Sequence, residues 1–360
     1  MASSYPRRSG AQVLIDQLRI HGTDTIFGVP GESYLAALDA LYAQRNSIRF
    51  VICRQEGGAA NMAEAYGKLT GKPGVAFVTR GPGATNASIG LHTGFQDSTP
   101  MILLVGQVAR EAADREAFQE IDYRRMFGQM AKWVVQIEDA RRIPELVSHA
   151  FHTAVNGRPG PVVVSLPEDM LVDEVEVADA GPYKIARGAP AADDMARLRE
   201  LLATAERPIV IVGGGGWTKE ACADMRAFVE ANDLPVSASF RNQDLFDNRH
   251  ANYVGDLGVG VGPALGKRLR ASDLVIAVGP RLGEATTAGY TLFDVPVPKQ
   301  KLVHVHAGAE ELGRVYQATL PINSGMASFA AAARALKPVD GTRWKAATAA
   351  ARAEYLDNIA

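Results

Sequence analysis

The strongest constraint on this 360-residue chain is a set of short, unbroken apolar runs separated by helix-patterned segments. GVAFVTR, MILLVGQV, GPVVVSLP, RPIVIVGGGG, ASDLVIAVGP and KLVHVHAG are each too short to cross a bilayer. They are too continuously apolar for strands with one wet face. Strands of this kind, alternating with helices, predict parallel sheets covered on both faces, an α/β architecture. Chain length allows two ordinary domains. The net charge of −2 points away from nucleic acid and other polyanions. The polar N-terminus MASSYPRRSG has no apolar signal run, and Cys53 and Cys222 have no ligand or redox spacing. A soluble, cytoplasmic protein without membrane partners is the expectation.

In the first half, Ser9 is placed to cap a helix that Gly22 ends. TIFGVP and IRFVIC read as strands, and EGGAANMAEAYGKLTG as a helix stopping at Gly71. GPGATN reads as a loop before the helix ASIGLHTGFQD, with Asn86 as its cap. After an irregular stretch come the helix PELVSHAFHTAVNG and a further strand. The pattern fails between Leu171 and Asp194, where acidic and then Pro/Gly/Ala-rich sequence suggests a linker. Alternation resumes with a second α/β region ending near Lys337. The predicted division is 1–172, a linker over 173–192, 193–337, and a helical tail over 338–360 with nothing evident to pack on.

Four stretches carry candidate chemistry. VGGGGWTKEA follows a strand and opens a helix, where an anion is favoured. It lacks the last glycine of G-x-G-x-x-G, because Thr218 stands there, and no acid ends the next strand. Close helix–strand packing is therefore preferred to dinucleotide binding. HVH puts His304 and His306 on one strand face; two histidines do not make a zinc site, and a strand-end surface with ordinary polar contacts is expected. GDLG (255–258) is read as a loop, because no asparagine follows at the distance a magnesium–diphosphate motif needs. Glu56 ends the strand before one helix, and TRGPGATN ends the next strand. Both loops therefore open on one sheet edge, where ligands of open α/β sheets bind. A carboxylate there is either solvated or has a task.

FGVPGES, RQEGGAANMAEAYGKLTGKPGVAFVTRGPGATN, LHTGFQDSTPMILLVGQV, AFQEID and GRPGPVVVSLPED, in this order, resemble the N-terminal pyrimidine-binding domain of thiamine-diphosphate enzymes. The likeness is strongest to the acetolactate synthase group, which serves branched-chain amino acid biosynthesis. RPIVIVGGGG and KLVHVHAG make the second region similar to that family's central domain. The resemblance implies that Glu56 hydrogen-bonds the pyrimidine N1′ and activates the cofactor, helped by an apolar pocket that raises its pKa. It implies that Val29, Pro30 and Gly31 line one wall, and that Thr79, Pro82 and Asn86 belong to the facing loop. Gln119 and Phe118 would face the substrate, with core packing as the alternative for Phe118. The implied reaction decarboxylates a 2-oxo acid such as pyruvate and joins the remainder to an acceptor, with the cofactor as electron sink.

The chain departs from the family at three points. The diphosphate domain with its Gly-Asp-Gly…Asn motif and Mg2+ is not in the sequence. A fragment, or one chain of a split enzyme inactive without a separate diphosphate-domain chain, is therefore expected. GPRLGEATT stands where FAD-binding members carry an Arg-Phe-Asp-Asp-like segment, which argues against FAD, although Arg158, Gly213, Gly214 and Gly215 match positions near the flavin nucleotide. His306 replaces an acid that would hold a ribose. The resemblance also implies a homo-oligomer. A non-catalytic assembly subunit and an oxalyl-CoA or benzoylformate-type decarboxylase remain as alternatives.

Overall fold

The computed structural model describes residues 5–360. The chain divides into two compact units between Ile185 and Ala186. In the first unit the elements are β1 (Arg7–Ser9), α1 (Gly10–Ile20), β2 (Thr25–Gly28), α2 (Leu35–Ala43), β3 (Arg49–Ile52), α3 (Glu56–Thr70), β4 (Gly74–Val78) and α4 (Pro82–Asp97). They continue with β5 (Met101–Gln107), α5 (Tyr123–Phe127), β6 (Trp133–Gln136), α6 (Ile143–Val155), β7 (Pro161–Pro167) and β8 (Glu174–Glu176). Six strands form one parallel sheet in the order β3-β2-β4-β5-β7-β6.

Alternation along these strands explains both covered faces. Val75, Phe77, Ile102 and Leu104 join the cluster containing Leu14, Leu18 and Phe151 from α1 and α6. Ala76, Val78, Leu103 and Val105 turn to Ala60, Ala63 and Leu91 from α3 and α4. Since neighbouring side chains point to opposite faces, both cores require continuously apolar strands. Ser9 caps α1 through a reciprocal box with Gln12, and Gly71, at φ 70°, closes α3.

The second unit contains α7 (Ala192–Thr204), β9 (Pro208–Val212), α8 (Lys219–Ala231), β10 (Val236–Ala238), β11 (Tyr253–Asp256) and α9 (Pro263–Ala271). β12 (Leu274–Val278), β13 (Lys301–His306), β14 (Leu320–Asn323), α10 (Met326–Arg334) and α11 (Thr342–Ile359) complete it. Its sheet is also parallel, in the order β11-β10-β9-β12-β13-β14. The fold class is thus α/β, with a six-stranded parallel sheet flanked by helices in each unit. No helix among the described residues is long and apolar enough to cross a membrane.

Several local expectations change. α4 begins at Pro82, because proline suits the first helical position and Gly81 takes the turn at φ 55°. Asn86 therefore lies inside the helix and is not its cap. The irregular stretch before α6 holds α5 and the edge strand β6. Within 173–192, β8 pairs antiparallel with β1. Gly255 and Asp256, expected in a loop, end β11, where Asp256 registers with Ala238.

The HVH histidines are buried, at 2% and 5% exposure, and do not form a surface. His304 Nε2 bonds the Pro280 carbonyl at 2.9 Å, and burial lowers its pKa to about 4. His306 Nδ1 accepts from the Gly308 N–H. The tail helix α11 also packs within its unit: Trp344 is fully buried and its Nε1 donates to Asn232 O at 3.0 Å.

Candidate functional site

Because the sheet of the first unit is parallel, every loop leaving a strand's carboxyl end opens at the same edge. The chain steps from β2 to β3 in one direction, then returns past β2 to β4. This reversal between β2 and β4 is the switch point where an open α/β sheet leaves a crevice. Three adjacent loops meet there. Val29, Pro30 and Gly31 follow β2, Glu56 follows β3 as the first residue of α3, and Thr79 to Pro82 follow β4.

Hydrogen bonds lock the walls. Ser33 Oγ lies 2.9 Å from Thr79 Oγ1 and accepts from the Arg80 N–H at 3.2 Å. Tyr34 donates its hydroxyl to Val29 O, and its ring stacks on Phe77 with centroids 4.0 Å apart. Burial, with a smaller push from the Glu56 charge, raises the Tyr34 pKa and keeps it a donor. Gln55 Oε1 accepts from the Gly58 N–H at 2.9 Å, fixing the start of α3.

Glu56 is half-buried. Its Oε2 accepts from Asn86 Nδ2 at 3.0 Å, so Asn86 reaches the carboxylate from the second turn of α4. Oε1 has no hydrogen-bond partner among the described residues and faces Gly83. A Cβ at Gly83 would lie 3.5 Å from that oxygen and 2.8 Å from Thr79 Cγ2. A Cβ at Gly31 would lie 2.7 Å from Thr79 Oγ1. Bare backbone at both glycines thus lets the loop after β4 close in beside one unpartnered carboxylate oxygen. That oxygen is the polar group that the edge of an aminopyrimidine calls for, so the chemistry of the residues present suits that ring.

Gln119 reaches the same edge from the loop after β5. A Cβ at Gly81 would lie 2.7 Å from Gln119 Cβ, and Gln119 itself takes φ 66°, an uncommon conformation for a side-chain-bearing residue. Glu120 secures the loop by accepting from the Asp114 and Ala117 N–H groups, which lower its pKa. Phe118 is 72% exposed, so it is not a core residue. Val29, Pro30, Gly31, Glu56, Thr79, Pro82, Asn86 and Gln119 all come to one edge. Ser33, Tyr34 and Arg80 were not singled out from sequence; the arginine inside TRGPG was the visible signal.

The nucleotide candidates behave differently. Arg158 precedes β7, at the opposite sheet edge, and its Nε donates to Ser98 Oγ at the end of α4. Gly213, Gly214 and Gly215 follow β9 at the second unit's own switch point, between β9 and β12. There a Cβ at Gly214 would collide with Gly279 O, and one at Gly279 with Gly213 O. The glycines allow two loop backbones to touch, a closer contact than the expected helix–strand packing. Among the described residues no cluster of three or more His, Cys, Asp or Glu side chains could hold a metal ion.

Residues 8–126 match the N-terminal TPP-binding domain of thiamine pyrophosphate enzymes, and residues 195–333 match the central domain of those enzymes. The acetolactate synthase large subunit of Parasynechococcus marenigrum is 34% identical over 87% of this chain and 52% of its own length. That of Corynebacterium glutamicum is 33% identical over 89% of this chain and 51% of its own. The acetolactate synthase isozyme 2 large subunit of Escherichia coli is 30% identical over 96% of this chain and 62% of its own. The chain spans about half the length of most of the curated relatives it matches.

Proposed function

Since the chain belongs to the thiamine pyrophosphate enzyme family, through that family's N-terminal and central domains, we propose that it serves a thiamine-diphosphate-dependent carboligase or decarboxylase of acetolactate-synthase type acting on 2-oxo acids. The observation that carries this reading is the free Oε1 of Glu56, held beside Gly83 while Asn86 occupies Oε2.

When bound, thiamine diphosphate supplies a carbon nucleophile and an electron sink. Glu56 would hold the cofactor's pyrimidine through Oε1, its carboxyl group serving as the proton-transfer partner at that atom. Asn86 orients the carboxyl group. Gly31, Thr79 and Gly83 define the slot for the ring, with Val29, Pro30 and Pro82 at its margins. Gln119, with the exposed Phe118 beside it, is assigned to the substrate side. The diphosphate and its Mg2+ are assigned to a second domain, on this polypeptide or another. FAD has no role in this reading.

Calorimetry with thiamine diphosphate and Mg2+ tests it, using the chain alone and the chain together with the diphosphate domain of an acetolactate synthase. Tight binding only in the combined sample is expected. Tight binding to the chain alone would overturn the half-site assignment, and no binding in either sample would overturn the cofactor assignment.

A further inference from the structure

Arg80 occupies an unusual position in the turn that faces Glu56. Its N–H donates to Ser33 Oγ, and the next amide, of Gly81, donates to Tyr123 Oη at 2.8 Å. The side chain is buried and runs across the sheet edge. Nη1 lies 2.9 Å from Glu168 Oε2, just beyond β7, and Nη2 lies 3.4 Å from Glu32 Oε1, in the loop after β2. The Glu168 N–H in turn donates to Gln107 O, the last residue of β5, at 3.1 Å. One guanidinium therefore spans the carboxyl ends of β2, β4 and β7, and Glu168 extends the tie to β5. A planar fork can hold two separated carboxylates at once; an ammonium group cannot reproduce that geometry.

This arrangement is a poor source of stability. Nε–H is buried without a hydrogen-bond partner, so the charge is incompletely compensated where it is least hydrated. Its acceptors are solvated: Glu32 is exposed and Glu168 half-buried. What the pairing does secure is direction. It fixes the peptide on either side of Arg80, and with it Thr79, Gly81 and Gly83, the residues packed against Ser33, Gln119 and Glu56.

We propose that Arg80 is the positioning residue of the candidate site, holding the Thr79–Gly83 turn in register with Glu56 through Glu168 and Glu32. This inference rests on the proposed function, and it deepens it by naming what sets the slot's shape.

Hydrogen–deuterium exchange on the 360-residue chain tests the proposal without cofactor. Arg80→Met and Glu168→Gln should each speed exchange of the 79–86 segment roughly tenfold, because the Arg80 and Gly81 amides keep their acceptors Ser33 Oγ and Tyr123 Oη but lose the guanidinium tie that holds the turn against them. The thermal midpoint should stay close to that of the parent. The exchanged pair Arg80→Glu with Glu168→Arg should recover part of the protection. Unchanged exchange in this segment would overturn the proposal. So would a general rise across the first unit with a falling midpoint, because that marks a merely structural residue. Thiamine-diphosphate affinity is measured on the same proteins combined with a diphosphate domain. Loss of affinity in Arg80→Met, with parental binding intact, supports the positioning role. Absence of binding in the parent overturns the cofactor reading and leaves the exchange result to decide on the turn.

Discussion

The two units solve the same architectural problem with opposite results at the crevice. Each has a six-stranded parallel sheet with a strand-order reversal at its crevice, between β2 and β4 in the first and between β9 and β12 in the second. Glycines stand at both reversals. In the first unit Gly31 and Gly83 make room for the Thr79 side chain, and Gly81 for Gln119, side chain and main chain alike. In the second, Gly214 and Gly279 each make room for the other loop's main chain, and Gly213 for the Ser239 side chain. The same residue type thus sets the β4 loop close beside an unpartnered carboxylate oxygen in one crevice and locks two main chains together in the other. Glycine at a strand end is evidence of close approach, and the neighbour decides whether a site results.

The largest expected difference follows from that contrast. Gly214→Ala sets a Cβ against Gly279 O at a backbone φ of 69°. It should destabilise the second unit by about 3 kcal/mol, because neither main chain can yield without strain. Denaturant unfolding measures this, and a loss under about 1 kcal/mol would show that the two loops are not locked.

Next in size is the response to acid. Each unit contains a buried histidine whose pKa is lowered to about 4: His304 in the second, by burial, and His21 in the first, by burial and then by His152. Both are neutral when folded and bind a proton more readily when unfolded, with an unfolded pKa of about 6.5. Their contribution is complete above about pH 6.5 and is lost as pH falls toward 4. A loss of about 2 kcal/mol per histidine is expected. His21 Nδ1 accepts the Tyr183 N–H, so exchange at residues 181–185 should rise in the same window. Replacement of either histidine by phenylalanine should flatten the stability profile of its own unit.

The smallest stability effect, and the sharpest functional one, belongs to Gly83→Ala. Its Cβ would meet Thr79 Cγ2, a side-chain methyl, so the cost should be about 1 kcal/mol. The same methyl narrows the slot at Glu56. Cofactor affinity in the combined sample should fall at least about tenfold, a change of about 1.4 kcal/mol. Equal cofactor affinity would mean that Gly83 packs the turn and does not shape a slot.

Sequence exposes these features unevenly. The central strands are legible because two covered faces demand apolar residues at every position, as in MILLVGQ. The Glu56 edge is legible because parallel strands send all their carboxyl-end loops to one side. The start of α4 is hidden because Pro82 and Gly83 read as breakers, whereas proline at the first helical position is favourable. HVH misleads because burial of an imidazole depends on partners outside the strand, here Pro280 O and Gly308 N. YVGD gives too little apolar sequence to show β11, and only Trp344 and Tyr355, far apart among the alanines of α11, mark its docking face. Arg80 is in plain view within TRGPG, but its partners Glu32 and Glu168 are 48 and 88 residues away.

Glu56 is proposed to activate the cofactor's pyrimidine. The most direct measurement is the rate of thiamine diphosphate C2 hydrogen–deuterium exchange, followed by quenched NMR in the combined sample, for the parent chain and for Glu56→Gln. A fall of about 10²-fold or more, with cofactor still bound and the fold intact, is expected when a positioned acid is removed. An unchanged exchange rate in Glu56→Gln with bound cofactor would contradict the account.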